Sequence, residues 1–331
     1  MKHLRIAAFL FSLLLVGICC NIAAAGEAMP TEVMYEAKAN VNFNIRSKPD
    51  TDSKKIEYVG KGELVFVYRI DDEWSIVSQN KVQGYCKTEW LWLFRAVHFD
   101  APPVPGYYVQ QGIGRITESC FAAVDGYEGN TFVPGNLFTV YKQGSETAEI
   151  NMMRSTTELP SANFTFSPFV PWREAEVENI IGGFTTYYNE HTGGKKMSES
   201  RAFNIEHGCN LINETVVAPG AQFSFNDVCG PYLTKNGYVL GPNISSDGVG
   251  YGGGICQMTT TLYNALLGLP VQIDEWLLHR TSGVAYVPQF FDAVVGIYND
   301  FTFTNTLPYP ISIHALPQNG VLTVLILRAE E

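Results

Sequence analysis

The sequence predicts a multidomain protein in which one or two small β-barrel modules precede an α+β domain. Three observations predict it. The chain has 331 residues, too long for one ordinary domain and suited to two or three. Its first half carries short β-favouring apolar runs separated by turn residues. Its last part places helical patterns first and strand-like runs last. Hydrophobic residues make up 46% and charged residues 17%, which excludes an intrinsically disordered chain. The net charge of −11 gives no overall attraction to nucleic acid or anionic lipid, so neither is an expected partner.

Residues 1–25 have the layout of a secretory signal peptide. Lys2, His3 and Arg5 form a basic start, Ile6 to Cys20 an apolar run, and Ala23 and Ala25 the small residues before Gly26. An uncleaved anchor is the other reading, but the run is short for a helix crossing ~30 Å of hydrocarbon. No later apolar run is long enough to span, so an exported protein, extracellular or wall-associated, without a transmembrane span is expected. Cleavage leaves Cys86, Cys120, Cys209, Cys229 and Cys256. That number is odd, so at least one thiol is free or paired between chains. No Cys-x-x-Cys occurs and the histidines are scattered, so neither metal nor cofactor is expected.

The first unit is expected over residues 35–95. Its apolar runs are Val41 to Ile45, Ile56 to Val59, Leu64 to Tyr68, Trp74 to Val77, and Gly84-Tyr85. Ser47-Lys48-Pro49-Asp50, Gly60-Lys61-Gly62 and Asp71-Asp72-Glu73 separate them. Strands this short at such spacing predict a small barrel. The order Asn44-Ile45-Arg46-Ser47-Lys48-Pro49, Gly60-x-Gly62, Glu73-Trp74, Gly84-Tyr85 and Trp90-Leu91 resembles bacterial Src-homology-3-like modules. That resemblance implies binding of cell-wall peptide or glycan. Trp74, Tyr85, Trp90 and Trp92 would then either stack on such a ligand or fill the core.

Pro102, Pro103 and Pro105 mark a linker. Residues 107–166 are again strand-like at Ala122 to Val124, Leu137 to Tyr141 and Glu149 to Met153. Two readings stand: a second barrel-like module, or a plain β extension of the last domain.

The last unit is expected over residues 172–331. Glu174 to Ile181 reads as a short helix stopped by Gly182-Gly183. Ser198 is placed to cap a second helix, along which Ala202, Ile205, Cys209 and Ile212 form one apolar stripe. Gln222 to Phe225 reads as a strand, and Met258, Leu262, Leu266 and Leu269 mark a third helix. Phe301 to Phe303, Ile311 to Ile313 and Val321 to Leu327 read as closing strands. A Cys209–Cys229 disulfide is one possibility; two core thiols is the other.

The densest chemical signal is Gly252-Gly253-Gly254-Ile255-Cys256-Gln257. Consecutive glycines free the backbone to take positive φ and let a ligand approach. The helical pattern begins at the cysteine, so Cys256 stands at a helix N-terminus, where the partial positive charge favours thiolate. The free N–H groups there are suited to a developing oxyanion, with Gln257 as an added donor. A thiolate nucleophile needs a base, and His279 lies downstream of the helix and a Pro270 turn. Asp292 is a carboxylate on an apolar segment and needs a partner, for which an imidazole N–H is suited. Against this stands the bland reading: Cys256 as a buried small hydrophobe, His279 as a core histidine, Asp292 as a cap.

The pieces Arg201-Ala202-Phe203-Asn204-Ile205, Val217-Ala218-Pro219-Gly220-Ala221-Gln222-Phe223-Ser224-Phe225-Asn226, Gly237-Tyr238, the glycine–cysteine block, His279, Tyr286-Val287-Pro288, Asp292-Ala293 and Asn305 form one pattern from about Gly183 to Leu327. That pattern resembles the VanW family. The family is named for linkage to vancomycin resistance. The resemblance implies an L,D-transpeptidase that cross-links peptidoglycan through Cys256, with His279 as companion and stem peptides and glycan as partners. Gly252, Gly253, Gly254, Gln257, Thr259 and Tyr286 are the expected substrate-binding residues. The chain departs from the family pattern at Trp276-Leu277-Leu278, at Arg280, and at Phe290-Phe291.

Overall fold

The computed structural model describes residues 29–71, 73–96, 109–188, 195–243, 248–279, 283–288 and 291–331. The expected signal peptide, the proline linker, Arg280 and Phe290 lie outside them. The chain divides into two compact units, residues 1–31 and 32–331. Of the first, residues 29–31 are described and form no regular element. The second holds every element named below. It is mostly β, with few helices and several small sheets. No helix among the described residues is long and apolar enough to cross a membrane.

Residues 35–96 form one seven-stranded antiparallel sheet. Its strands are β1 (Tyr35–Ala39), β2 (Phe43–Arg46), β3 (Lys55–Val59), β4 (Leu64–Ile70), β5 (Trp74–Gln79), β6 (Val82–Lys87) and β7 (Leu91–Ala96). The spatial order is β3-β2-β6-β5-β4-β1-β7. Alternation sets the faces: Tyr35, Ala37 and Ala39 point inward, as do Val65 and Val67, while Leu64 and Phe66 stay exposed. The expected barrel is corrected here. β3 and β7 remain edges, and no closed barrel exists among the described residues. β3 carries Lys55 and Glu57 along its length, and such charges discourage edge-to-edge pairing. β2 joins β6 only through Arg46 opposite Tyr85.

The middle of the chain folds into three small antiparallel sheets. The strands are β8 (Gly112–Ile116), β9 (Cys120–Val124), β10 (Tyr127–Phe132), β11 (Leu137–Val140), β12 (Lys142–Gln143), β13 (Thr147–Met152), β14 (Ser155–Pro160) and β15 (Phe164–Pro168). They pair as β11-β8-β15, β12-β13-β14 and β10-β9. Their apolar side chains form a small core with Tyr187 and Val321 of the C-terminal part. The Thr139 N–H donates to Thr185 Oγ1 at 2.8 Å, and Asn151 Nδ2 donates to the Thr185 carbonyl at 2.9 Å.

The C-terminal part begins with β16 (Ile180–Tyr187), followed by α1 (Lys195–Ile212), β17 (Thr215–Val217), β18 (Gln222–Ser224) and α2 (Phe225–Cys229). Next come β19 (Leu240–Pro242), β20 (Val249–Tyr251), α3 (Ile255–Leu266), β21 (Gln272–Glu275), β22 (Thr302–Thr304), β23 (Ile311–Gln318) and β24 (Val321–Arg328). The main sheet runs β16-β24-β23-β17.

The expected helix at Glu174–Ile181 is absent. That segment is turns leading into β16, and Gly182-Gly183 lies within the strand. The two glycines serve close packing. A Cβ on Gly183 would meet Leu325 Cδ2 at 2.8 Å, and one on Gly182 would meet the Ala265 carbonyl at 3.0 Å. α1 starts before Ser198, which is buried inside it rather than capping it. Its stripe of Ala202, Ile205, Cys209 and Ile212 is buried. α2 follows from Ser224, whose hydroxyl accepts the Asp227 N–H at 3.0 Å.

Candidate active site

α3 is buried on every side, and Cys256 is its one half-buried residue. A helix so enclosed must satisfy its polar side chains internally. Thr261 Oγ1 donates to the Gln257 carbonyl at 2.7 Å, and Asn264 Nδ2 donates to the Thr260 and Phe291 carbonyls at 2.8 and 2.7 Å.

The turn into α3 requires its glycines. Gly254 holds φ +111° as the residue before the helix, a conformation that costs a side-chain-bearing residue strain. At Gly253 the limit is space: a Cβ would lie 2.5 Å from the Gly241 carbonyl. Asn204 of α1 fastens this turn. Its Nδ2 donates to the Val239 and Gly253 carbonyls, and its Oδ1 accepts the Val239 N–H, all at 3.0 Å. The first helical N–H groups are divided in use. Those of Ile255 and Gln257 bond the carbonyls of Gly252 and Gly254. That of Cys256 has no backbone acceptor among the described residues and stays available for an oxyanion.

The Cys256 thiol donates to the Val295 carbonyl at 3.4 Å and is also a hydrogen-bond partner of His279. On its other side His279 is held by Asp292. Its backbone N–H and its Nδ1 both bond Asp292 Oδ2 at 2.7 Å. The ring nitrogen left for Cys256 is therefore Nε2. The histidine side chain is 9% exposed and the aspartate 1%. Burial works against the imidazolium. Hydrogen bonds to Asp292 and Cys256, with the electrostatic pull of both, outweigh it and raise the His279 pKa from 6.5 to about 9. The ring thus carries a proton at neutral pH. Asp292 sits in irregular chain. Its carbonyl accepts the Trp276 Nε1–H at 3.0 Å.

Trp276 carries this support outward. It stacks on Tyr263 of α3 with centroids 5.2 Å apart and meets Trp92 of β7 at 6.0 Å. The Lys38 ammonium lies 4.6 Å from its ring centre. The N-terminal sheet therefore packs directly behind the Asp292–His279 pair, and Trp92 is used in that contact. Trp90 packs on Phe43 inside its own sheet.

The expected substrate-binding residues divide. Gln257 is buried, with Nε2 bonded to Thr186 Oγ1 and the Tyr187 carbonyl and Oε1 accepting from Arg201. Thr259 is wholly buried, its hydroxyl on the Ile255 carbonyl. Gly252 and Gly253 are buried as well. Gly254 and Tyr286 remain half-exposed beside Cys256. The Tyr286 phenol bonds Thr260, and burial pushes its pKa well up, so it stays neutral. The other cysteines differ from Cys256. Burial pushes the thiols of Cys86 and Cys229 up to about 12. Cys209 and Cys229 are not bonded to each other. No group of three His, Cys, Asp or Glu side chains suited to a metal occurs among the described residues.

Two neighbours of this site escaped sequence reasoning. Arg201 opened a motif without a role assigned to it, and Trp276 stood out only as a departure from the family pattern. The family model described as VanW like protein matches residues 200–327. That range holds Cys256, His279, Asp292, Arg201 and Trp276. Residues 200–327 are thus similar to the VanW family. The chain is also similar to a curated relative, the "Uncharacterized protein YoaR" of Bacillus subtilis (strain 168). The two are 36% identical over 149 residues, 44% of this chain and 47% of the relative, so the match spans about half of the relative's length.

Proposed function

We propose that this protein is exported and acts on peptidoglycan as a cysteine-dependent acyl transferase of the L,D-transpeptidase kind. The observation that carries this reading is the series Cys256–His279–Asp292, in which a half-exposed thiol at a helix start meets a protonated imidazole braced by a buried carboxylate. The VanW-like domain supports the cell wall as the setting.

In this mechanism the Cys256 thiolate adds to the carbonyl carbon between an L-centre and a D-residue of a donor stem peptide. The carbonyl electron pair moves onto oxygen, and the free Cys256 N–H stabilises the oxyanion. Collapse breaks the C–N bond, and His279 Nε2–H gives its proton to the departing amine. The thioester then passes to an amine of a second stem, forming a cross-link, or to water. His279 takes up the proton released by that nucleophile. The N-terminal sheet, with its Src-homology-3-like motif order, serves as a wall-binding module that raises local substrate concentration.

Incubation with a disaccharide-tetrapeptide and mass analysis of the products tests the reading. Wild type is expected to release the terminal residue and form dimer or shortened peptide, and Cys256→Ala to do neither. Identical products from both would reduce the protein to a wall-binding one.

A further inference from the structure

Arg201 lies nearly two turns into α1 and reaches the same corner as Cys256. Its aliphatic stem and carbonyl line the place a Gly254 side chain would need, at 2.9 and 3.0 Å. One guanidinium nitrogen donates to Gln257 Oε1. That bond fixes the group beside the first turn of α3, because Gln257 is itself locked by Thr186 and Tyr187.

The guanidinium charge faces no carboxylate among the described residues. The groups acting on it among the described residues are Tyr286, Tyr188, Tyr127 and Cys256, with no Asp or Glu among them. The remaining guanidinium N–H groups bond nothing among the described residues, although the side chain is half-buried. A partly desolvated cation without a carboxylate costs stability, whereas one awaiting an anionic ligand gains it on binding. The guanidinium fork matches a carboxylate with two parallel hydrogen bonds. Tyr127 belongs to β10, so the middle sheets help wall this corner.

We propose that Arg201 docks a carboxylate of the peptide substrate beside Cys256. The assignment rests on the reading of Cys256 as nucleophile. In a donor cut at its penultimate bond, the departing D-residue bears a free carboxylate one residue from the attacked carbonyl. Arg201 is the group placed to select such a terminus over an amidated or extended one.

Two alkylating reagents of equal size test it on the full chain. Iodoacetate carries a carboxylate and iodoacetamide does not; with each, the thiolate displaces iodide and forms one S–C bond. Rates are followed by mass analysis of the peptide holding Cys256. The iodoacetate-to-iodoacetamide rate ratio is expected to exceed that of free cysteine by about tenfold, about 1.4 kcal/mol of charge-assisted bonding. Arg201→Gln should bring the ratio down to that of free cysteine, and Arg201→Lys should keep part of the excess. Circular dichroism confirms that the variants fold. A ratio unchanged by Arg201→Gln, with Cys256 still reactive, overturns the docking role alone. A parallel fall of both rates overturns it in favour of thiolate stabilisation. Failure of Cys256 to react with either reagent removes the nucleophile and the docking role together.

Discussion

Two hydrogen bonds from His279, one from its backbone and one from its ring, end on a single oxygen of Asp292. The backbone bond fixes where the histidine stands, and the ring bond fixes which nitrogen faces Cys256. One carboxylate therefore sets both position and tautomer. Replacing it should cost stability as well as chemistry. Asp292→Ala leaves a buried imidazole without its acceptor, and an expected loss of about 3–5 kcal/mol follows from breaking a buried pair on one side. Asp292→Asn keeps the volume and should lose less. Both should slow alkylation of Cys256, the alanine variant more. Urea denaturation and timed labelling check the pair of effects; wild-type stability in Asp292→Ala would show that the carboxylate holds nothing.

The raised His279 pKa makes stability depend on pH in a definite direction. The folded value, about 9, stands above the ordinary 6.5, so the folded state binds the proton more tightly than the unfolded state does. The contribution is complete below pH 6.5 and drains away as pH climbs toward and through 9. The stability difference between wild type and His279→Asn should therefore shrink across that window. Denaturation midpoints at pH 6, 7.5 and 9.5 measure it; a difference that grows with pH contradicts the assignment.

Trp276 joins the N-terminal sheet to the corner that holds Asp292, His279 and Cys256, so a subtle change there should be felt at Cys256. Trp276→Phe keeps an aromatic surface toward Tyr263 and Trp92 but deletes the Nε1–H that the Asp292 carbonyl accepts. The lost bond is expected to cost about 1 kcal/mol. Labelling of Cys256 should slow by a smaller factor than in Asp292→Ala. Trp276→Ala, which also empties the space against Trp92, should cost about 3–5 kcal/mol. Equal behaviour of the two variants would mean that the ring surface matters and the N–H does not.

The grouping of Cys256, His279 and Asp292 was legible because each member carried a local signal. The glycine triplet before a helical pattern placed Cys256, and an aspartate on an apolar segment called for a partner such as His279. Long-range geometry was not legible. Gln257 follows Cys256 and looked like a donor to substrate, yet helix rotation turns it toward β16, where Thr186 and Tyr187 consume it. Arg201 precedes Cys256 by more than fifty residues, and no periodicity links the two. The strands of the first sheet followed from alternation and turns, but whether that sheet closes is decided by its edges, which alternation does not encode. Gly182-Gly183 misled for a related reason. A glycine that ends a helix and a glycine that admits a packed neighbour look the same in sequence, and here α3 and β24 are the neighbours.

The two glycines before α3 should fail in different ways when given a methyl group. At Gly254 the difficulty is conformational, with φ at +111°, and the nearest atoms belong to Arg201. Gly254→Ala is expected to lose about 1–3 kcal/mol through backbone strain and to push the Arg201 stem aside. Its iodoacetate preference should weaken while the fold persists. At Gly253 the obstacle is backbone: Gly241 carbon and oxygen at 2.5 Å and the Pro242 oxygen at 2.6 Å. None of these atoms can rotate away. Gly253→Ala must part the β19–β20 hairpin from the start of α3, breaking the hold of Asn204 on that turn. The loss should exceed that of Gly254→Ala, with faster, indiscriminate labelling of Cys256 as its pocket opens. Denaturation midpoints and the ratio of the two alkylation rates separate the cases. Gly253→Ala matching wild type in both would mean that the hairpin is not held against the helix as described.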